Sequence, residues 1–271
     1  MIKKNITILF FFTIYLLIGL KNVNNYGISF DEEGNRLYGL VNGNYILKSV
    51  LSEEKYNSIF NKITSEQFSE KIEIKQPTPL HEFADKAYGV VFELPVTAIE
   101  ILLNFDHNYD VYVFRHLMTF LFFFLSMIVF FLLLKKIFKN IYISLLGPIF
   151  LISNPRIFAD SFYNSKDIVF LSFFLITFYF AYSYLKKDKI KNLILLAFFS
   201  ACSINLRAIA VVIPLMVYID IFFKSYQKKI LKRELIFLPV LSLFFLYIIW
   251  PFLWENPIQG LSHIIYWFKD L

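Results

Sequence analysis

The sequence predicts an all-α polytopic membrane protein, and its composition, its apolar runs and the placement of its lysines all support that fold class. Of the 271 residues, 58% are hydrophobic and 18% are charged, whereas soluble proteins carry about 25% charged residues. So few polar side chains do not cover a water-soluble globule, and a lipid bilayer removes that requirement. The net charge of +6 comes from lysines beside apolar runs, a pattern typical of membrane topology. We therefore expect a bilayer as a partner and no nucleic acid.

The first apolar run makes residues 1–20 a predicted transmembrane helix. A cleavable signal peptide is the alternative, since Lys3 and Lys4 give the run a basic start. It ends, however, without the small residues that a signal peptidase needs. Cys202 is the only cysteine, so an intrachain disulfide is excluded.

Residues 21–112 form a predicted large outer loop that holds most of the acidic side chains. A loop of this length is usually functional or locally structured. Residues 52–69 are predicted to form a polar helix. Residues 87–103 are apolar but contain two glutamates and a proline, so we expect them to lie in the membrane interface rather than to cross it.

Residues 113–250 are predicted to form the transmembrane bundle, and residues 251–271 to begin a further outer loop. The apolar run 193–223 is too long for one comfortable crossing, and its centre contains Asn205 and Arg207. We therefore predict a hairpin of two short helices there. With the first helix, this gives about seven crossings in a bundle. The other predicted spans are residues 113–134, 141–153, 168–185 and 235–250.

The positive-inside rule supports that count. With the amino terminus in the cytoplasm of a plasma (inner) membrane, every lysine-rich connection falls on the cytoplasmic side, and the polar loops fall outside. A single span over 193–223 would put the basic residues 224–233 on the wrong side. The lysine-rich segments are residues 3–4, 135–139, 186–191 and 224–233.

Asp31 and Glu32 form the first candidate cluster. The chain has no phosphate-binding glycine loop, no paired-cysteine site and no nucleophile elbow, which leaves polar groups at the outer face. Two adjacent carboxylates near lipid raise each other's pKa, which suits a general base. The alternative is that both are ordinary solvated charges on a loop.

The second cluster is the short loop that ends at the span starting with residue 168. Arg156 and Lys166 are suited to holding a phosphate, and Tyr163 and Asn164 lie between them. Asp167 stands at the start of a helix, where a carboxylate caps backbone amides and is favoured by the helix dipole. Capping and a functional role are compatible there.

The third cluster consists of charges next to apolar runs. Arg207 is a functional candidate because a charge at membrane depth is costly, and the alternative is an arginine that extends to the outer headgroups. Arg115 and His116 open the second span, and we interpret them first as interfacial anchors and second as ligands.

Taken in order, five segments resemble the membrane glycosyltransferases of the GT-C fold. More narrowly, they resemble family 39, the bacterial relatives of the dolichyl-phosphate-mannose–protein mannosyltransferases. The segments are Phe30-Asp31-Glu32; His81 with Tyr88-Gly89 and Phe92-Glu93-Leu94-Pro95; Arg115-His116; Pro155-Arg156 through Lys166-Asp167-Ile168; and Trp250-Pro251-Phe252-Leu253-Trp254.

The resemblance implies transfer of a sugar from a polyprenyl-phosphate donor to a hydroxyl of an acceptor protein or glycan, at the outer face of the membrane. It places the catalytic carboxylate at Asp31, with Glu32 beside it, and the second acidic position at Asp167. The cations that would neutralise the carrier phosphate are Arg156, Lys166 and Arg207.

One base and direct displacement imply inversion at the sugar carbon. No cofactor is expected, and a divalent metal is left open. Relatives of this kind continue for many more helices, so we expect this chain to be the amino-terminal part. Two other hypotheses stay open: a non-catalytic subunit or remnant, and a transporter of a lipid-linked substrate.

Overall fold

The computed structural model describes residues 2–58, 78–105 and 107–269, and within them it is helical without a strand. The helices, in chain order, are α1 (Ile2–Asn22), α2 (Phe30–Val50), α3 (Glu93–Leu103), α4 (Asn108–Phe138), α5 (Ile141–Ile152), α6 (Pro155–Tyr163), α7 (Asp167–Lys187), α8 (Ile190–Leu206), α9 (Val212–Lys228), α10 (Glu234–Ile249) and α11 (Pro257–Lys269). The all-α prediction is confirmed.

Four of the described helices are long and apolar enough to cross a membrane: α1, α4, α7 and the helical segment 208–228. Helices α5 and α6 raise the number to five if they form one span, which bends by 70° between them. Helices α8 and α10 are apolar but shorter. Each apolar segment that the sequence predicts to cross is helical, and seven crossings remain a prediction.

The predicted hairpin at residues 193–223 is confirmed. Helix α8 ends at Leu206, Arg207 is extended (φ −146°, ψ 118°), and α9 follows a 3-10 turn. Arg207 contacts Asp167 at the start of α7, whereas Lys232, beyond α9, contacts Asp188 at the end of α7. The chain therefore runs along α7 one way through α8 and returns through α9.

Three of the basic segments meet at one end of the bundle, called here the lysine-rich end. Lys136 Nζ donates to Ser183 Oγ at 2.5 Å, and Lys232 Nζ lies 3.4 Å from Asp188 Oδ2. Helices α4, α7 and α9 end there in left-handed residues, Lys139, Asp188 and Lys229. This grouping agrees with the predicted topology, in which the lysine-rich segments lie on one side of the membrane.

Aromatic packing joins the first half of the bundle. Phe120 of α4 stacks on Phe162 of α6, with ring centroids 5.2 Å apart and planes 7° apart. Gly19 of α1 faces the same ring, because a Cβ atom there would lie 1.7 Å from Phe120 Cζ. Many large apolar side chains remain exposed on α1, α9 and α10, as expected of surfaces that face lipid.

The predicted outer loop is more ordered than its polar composition suggests. Residues 30–50 form the 21-residue helix α2, which the sequence analysis did not predict. The predicted interfacial helix at 87–103 is helical only from Glu93, after turns. Of the polar helix predicted at 52–69, residues 53–58 are helical and residues 59–69 lie outside the described residues.

Candidate active site

Four buried charged side chains form the buried ion-pair cluster, defined as Arg36, Glu93, Glu100 and Arg115. Arg36 Nη2 lies 2.6 Å from Glu100 Oε1, and Arg115 Nη1 lies 2.9 Å from Glu100 Oε2. Arg115 also pairs with Glu93. The cluster thereby joins α2, α3 and α4, and every charge in it has an opposite charge beside it, as burial requires.

A second buried pair fixes the start of α2. His116 Nε2 lies 2.7 Å from Glu32 Oε1, and Ser29 N donates to Glu32 Oε2 at 2.5 Å in a capping box. Glu32 is buried, whereas its neighbour Asp31 is exposed at the amino-terminal end of the same helix. Anchoring of Glu32 therefore turns Asp31 outward, because consecutive residues of a helix point in different directions.

Ser165 connects the cluster to the segment between α6 and α7. Its Oγ donates to Glu93 Oε1 at 2.5 Å and accepts from Asn35 Nδ2 at 3.2 Å. Burial raises the pKa of Glu93, and the neighbouring Arg115 opposes that rise. The loop that carries Lys166 and Asp167 is thus held against α2 and α3 by hydrogen bonds at its base.

Above this buried layer lies a small open space, called here the Tyr88 cleft, with an empty volume of about 280 Å³. The Nζ of Lys166 lies 3.7 Å from the ring centroid of Tyr88, a cation–π contact. Tyr38 stacks on Tyr88 with centroids 5.2 Å apart, and its hydroxyl donates to Asp85 Oδ2 at 3.4 Å. The lining residues are Asn35, Tyr38, Tyr88, Gly89, Glu93, Ser165, Lys166 and Leu206.

Lys166 is the cation at the centre of the cleft. Burial and the nearby Arg207 lower its pKa, while Asp31, Asp167 and Asp85 oppose that shift. Lys166 is therefore close enough to interact electrostatically with all three carboxylates, which come from α2, α7 and the turn before α3.

Arg207 and Asp167 form an ion pair at the mouth of the cleft, with Nη2 2.5 Å from Oδ1. Asn164 supports the pair, since Asp167 N donates to Asn164 Oδ1 at 2.8 Å. The side chains of Arg207 and Asp167 are 39% and 59% exposed, so an incoming anion can reach the guanidinium.

Gly89 allows its segment of the predicted outer loop to pack closely against the end of α8. A Cβ atom at Gly89 would lie 1.8 Å from the backbone oxygen of Asn205. Next to it, Val91 N donates to Asn205 Oδ1 at 3.0 Å. Asn205 thus holds one wall of the cleft.

Of the predicted residues, Lys166 lines the Tyr88 cleft, and Asn164 and the Arg207–Asp167 pair lie beside it. Asp31 is close enough to act electrostatically on Lys166. Arg156 is 89% exposed and pairs with Asp160 of its own helix at 3.7 Å.

Two interpretations are corrected. Asp31 and Glu32 lie on helix α2 rather than on a loop, and Glu32 is buried instead of solvated. Arg115 and His116 point into the protein and bind carboxylates, so they are not interfacial anchors. Tyr163 packs against Tyr26, with ring centroids 5.7 Å apart, and its role in substrate binding stays a prediction.

The sequence analysis missed Arg36, Glu100, Tyr38 and Tyr88, and it noted Glu93 only as an interruption or as part of a motif. The spacing of the two glutamates would have indicated the cluster. Glu93 and Glu100 lie seven residues apart in an apolar segment and therefore share one helix face. Two carboxylates on an apolar face need buried cations.

No group of three or more histidine, cysteine, aspartate or glutamate side chains in residues 2–58, 78–105 and 107–269 is arranged to hold a metal ion.

Comparison with known families gives one match. The family model described as dolichyl-phosphate-mannose-protein mannosyltransferase matches residues 110–254, which is more than half of the chain. The matched range includes Arg115, Lys166, Asp167 and Arg207 but not Asp31. No curated protein and no solved structure matches the chain. From this match, the chain belongs to the dolichyl-phosphate-mannose-protein mannosyltransferase family, a group of multi-helix membrane glycosyltransferases.

Proposed function

We propose that the chain transfers a sugar from a polyprenyl-phosphate donor to a hydroxyl of a protein or glycan at the outer face of the plasma membrane. One observation carries the proposal: the exposed carboxylate of Asp31 is near enough to Lys166 to act on it electrostatically, and Lys166 in turn lies near Arg207 and its partner Asp167. Family membership supports the reaction class, and the grouped lysines at the opposite end support the outward orientation of the cleft.

In this scheme the acceptor oxygen attacks the anomeric carbon of the donor. The bond from that carbon to the phosphate oxygen breaks, and its electron pair leaves with the phosphate. The hydroxyl proton passes to Asp31, which acts as the general base. A single displacement of this kind inverts the configuration of the sugar.

Lys166 and Arg207 have the second role, which is to neutralise the departing phosphate. Charge-assisted hydrogen bonds to phosphate oxygens are strong, and groups already in place stabilise developing charge without reorganising. Asp167 orients Arg207 through their ion pair. The lipid part of the donor would lie against the exposed apolar helices, which explains why such a site belongs at the end of a membrane bundle.

The test is sugar transfer in membranes supplied with radiolabelled polyprenyl-phosphate sugars. We expect Asp31→Asn to lower transfer by about 10²–10⁴-fold, the usual contribution of a general base. Glu33→Gln is the matched control, because Glu33 is exposed on the same helical turn; its transfer should stay near that of the native chain.

Full transfer by Asp31→Asn would remove Asp31 as the base. No transfer by the native chain, with normal membrane insertion, would instead support a non-catalytic subunit or remnant.

A further inference from the structure

A second cleft lies on the other side of the segment that contains Asp85 and Tyr88. It has an empty volume of about 520 Å³, is partly open, and lies between the turn at residues 80–86 and the start of α11. We call it the distal cleft. Its lining residues are His81, Lys86, Phe252, Glu255, Asn256, Gln259, Gly260 and His263.

The floor of the distal cleft is aromatic. Phe252, which is buried, lies between two imidazoles, with ring centroids 5.9 Å from His81 and 5.6 Å from His263. The rim is polar and belongs to the first turn of α11 and the residue before it. There, Asn256 Nδ2 donates to Gln259 Oε1 at 3.1 Å, so the amide hydrogens of Gln259 stay available as donors.

Two side chains lie close to Glu255. His81 Nε2 lies 3.0 Å from Glu255 Oε1, and Tyr45 of α2 donates to the same oxygen at 3.4 Å. Burial and the nearby Glu255 raise the pKa of Tyr45, which keeps its hydroxyl a donor. Both contacts use Oε1, and within the described chain Oε2 accepts no hydrogen bond. Glu255 is 60% exposed and lines the cleft, so this second oxygen is accessible to a ligand as an acceptor.

The charges of the distal cleft do not favour an anion. Lys86 and Glu255 carry opposite charges, and Lys86 Nζ donates to the backbone oxygen of His81 at 2.6 Å. An aromatic floor with a rim that both donates and accepts suits a neutral ligand that has an apolar face and several hydroxyls.

We propose that the distal cleft binds a saccharide, the sugar part of a glycan acceptor. This inference rests on the proposed function and adds to it the chemical class of the acceptor. The turn at residues 80–89 connects the two clefts, since His81 and Lys86 line the distal cleft, whereas Tyr88 and Gly89 line the Tyr88 cleft. A glycan held by Gln259 and Glu255 would extend along this turn toward the Tyr88 cleft.

Saturation-transfer NMR on the full chain in lipid nanodiscs tests the proposal, with the methyl glycosides of mannose, glucose and galactose as probes. We expect at least one glycoside to bind. Gln259→Ala should weaken that binding by about fivefold, as the loss of one hydrogen bond predicts. Glu255→Gln should weaken it by about tenfold, because a charge-assisted bond is lost.

Two controls locate the site. Gln227→Ala makes the same side-chain change at an exposed position on α9, near the lysine-rich end, and should leave binding unchanged. Asp31→Asn should also leave it unchanged, because Asp31 is not among the residues that line the distal cleft.

Two results would overturn the inference: no binding of any glycoside by the native chain, or binding that survives Gln259→Ala and is lost in Asp31→Asn. The second would place the sugar near Asp31 and not in the distal cleft. If glycosides bind as expected and the chain transfers no sugar, the saccharide site stands and the proposed function fails. If transfer occurs, Gln259→Ala should raise the KM for the glycoside acceptor and leave kcat unchanged.

Discussion

The buried ion-pair cluster and the Tyr88 cleft lie next to each other at one end of the bundle, and each has an arginine paired with a carboxylate in it or beside it. In the cluster the side chains are almost completely buried, and each charge meets an opposite charge from another helix. In the cleft, the Arg207–Asp167 pair is 39% and 59% exposed. Burial, rather than residue type, therefore separates charges that hold helices together from charges that can meet a substrate.

The energetics follow from the same difference. A buried ion pair gains little over an apolar core of the same shape, but removal of one partner leaves an unpaired buried charge, which is strongly destabilising. An exposed pair contributes about 0–1 kcal/mol, because water and salt screen it. Substitutions in the two regions should therefore affect stability very differently.

The largest effect on stability is expected for Arg115→Met. The change removes the cation beside Glu93 and Glu100, and we expect the free energy of unfolding to fall by about 3–5 kcal/mol. Thermal unfolding in nanodiscs would measure this. Arg156→Met is the matched control, since Arg156 is 89% exposed, and its change should stay within about 0.5 kcal/mol. Equal effects of the two substitutions would erase the distinction between the regions.

A smaller effect is expected for Asp167→Asn in the cleft. The loss of the exposed ion pair with Arg207 should lower the free energy of unfolding by at most about 1 kcal/mol. The main effect should be a loss of transfer activity, because Arg207 loses the group that orients it. A loss of stability as large as that of Arg115→Met would show that this pair is structural.

The smallest effect on transfer activity at neutral pH is expected for Lys166→Arg. Burial and Arg207 lower the pKa of Lys166, so the ammonium is present below that pKa and is lost as the pH rises through it. Transfer by the native chain should therefore decline on the alkaline side earlier than an ordinary lysine would dictate. An arginine stays protonated, so the variant should keep its activity to higher pH. Identical pH profiles would separate Lys166 from phosphate binding.

The sequence predicted those features that depend on local pattern. The break at Arg207 followed from a polar pair inside an apolar run too long for one crossing, and the lysine-rich end followed from topology rules. Helix α2 was missed because its residues include Gly34, Gly39 and Gly43 and show no apolar face. Its stability comes from partners far along the chain, such as Glu100 for Arg36, which lie 64 residues apart.

The candidate site likewise contains residues that the sequence identified and pairings that it did not. Asp31, Lys166, Asp167 and Arg207 were identifiable as polar groups near predicted membrane boundaries or inside apolar runs. The pairing of Arg115 with Glu93 and Glu100 was not, because a single sequence does not say which buried charges from separate helices will meet.

The close packing of Gly89 against Asn205 has a consequence for how the protein folds during its synthesis. Val91 and Asn205, which hydrogen-bond beside that contact, are 114 residues apart, so the ribosome finishes the first loop long before it synthesises its support. Chains fold from the amino terminus during synthesis. This wall of the Tyr88 cleft therefore forms only after α7 and α8 have been synthesised. A nascent chain arrested before residue 205 would contain Asp31 and Gly89 without the residue that supports this wall.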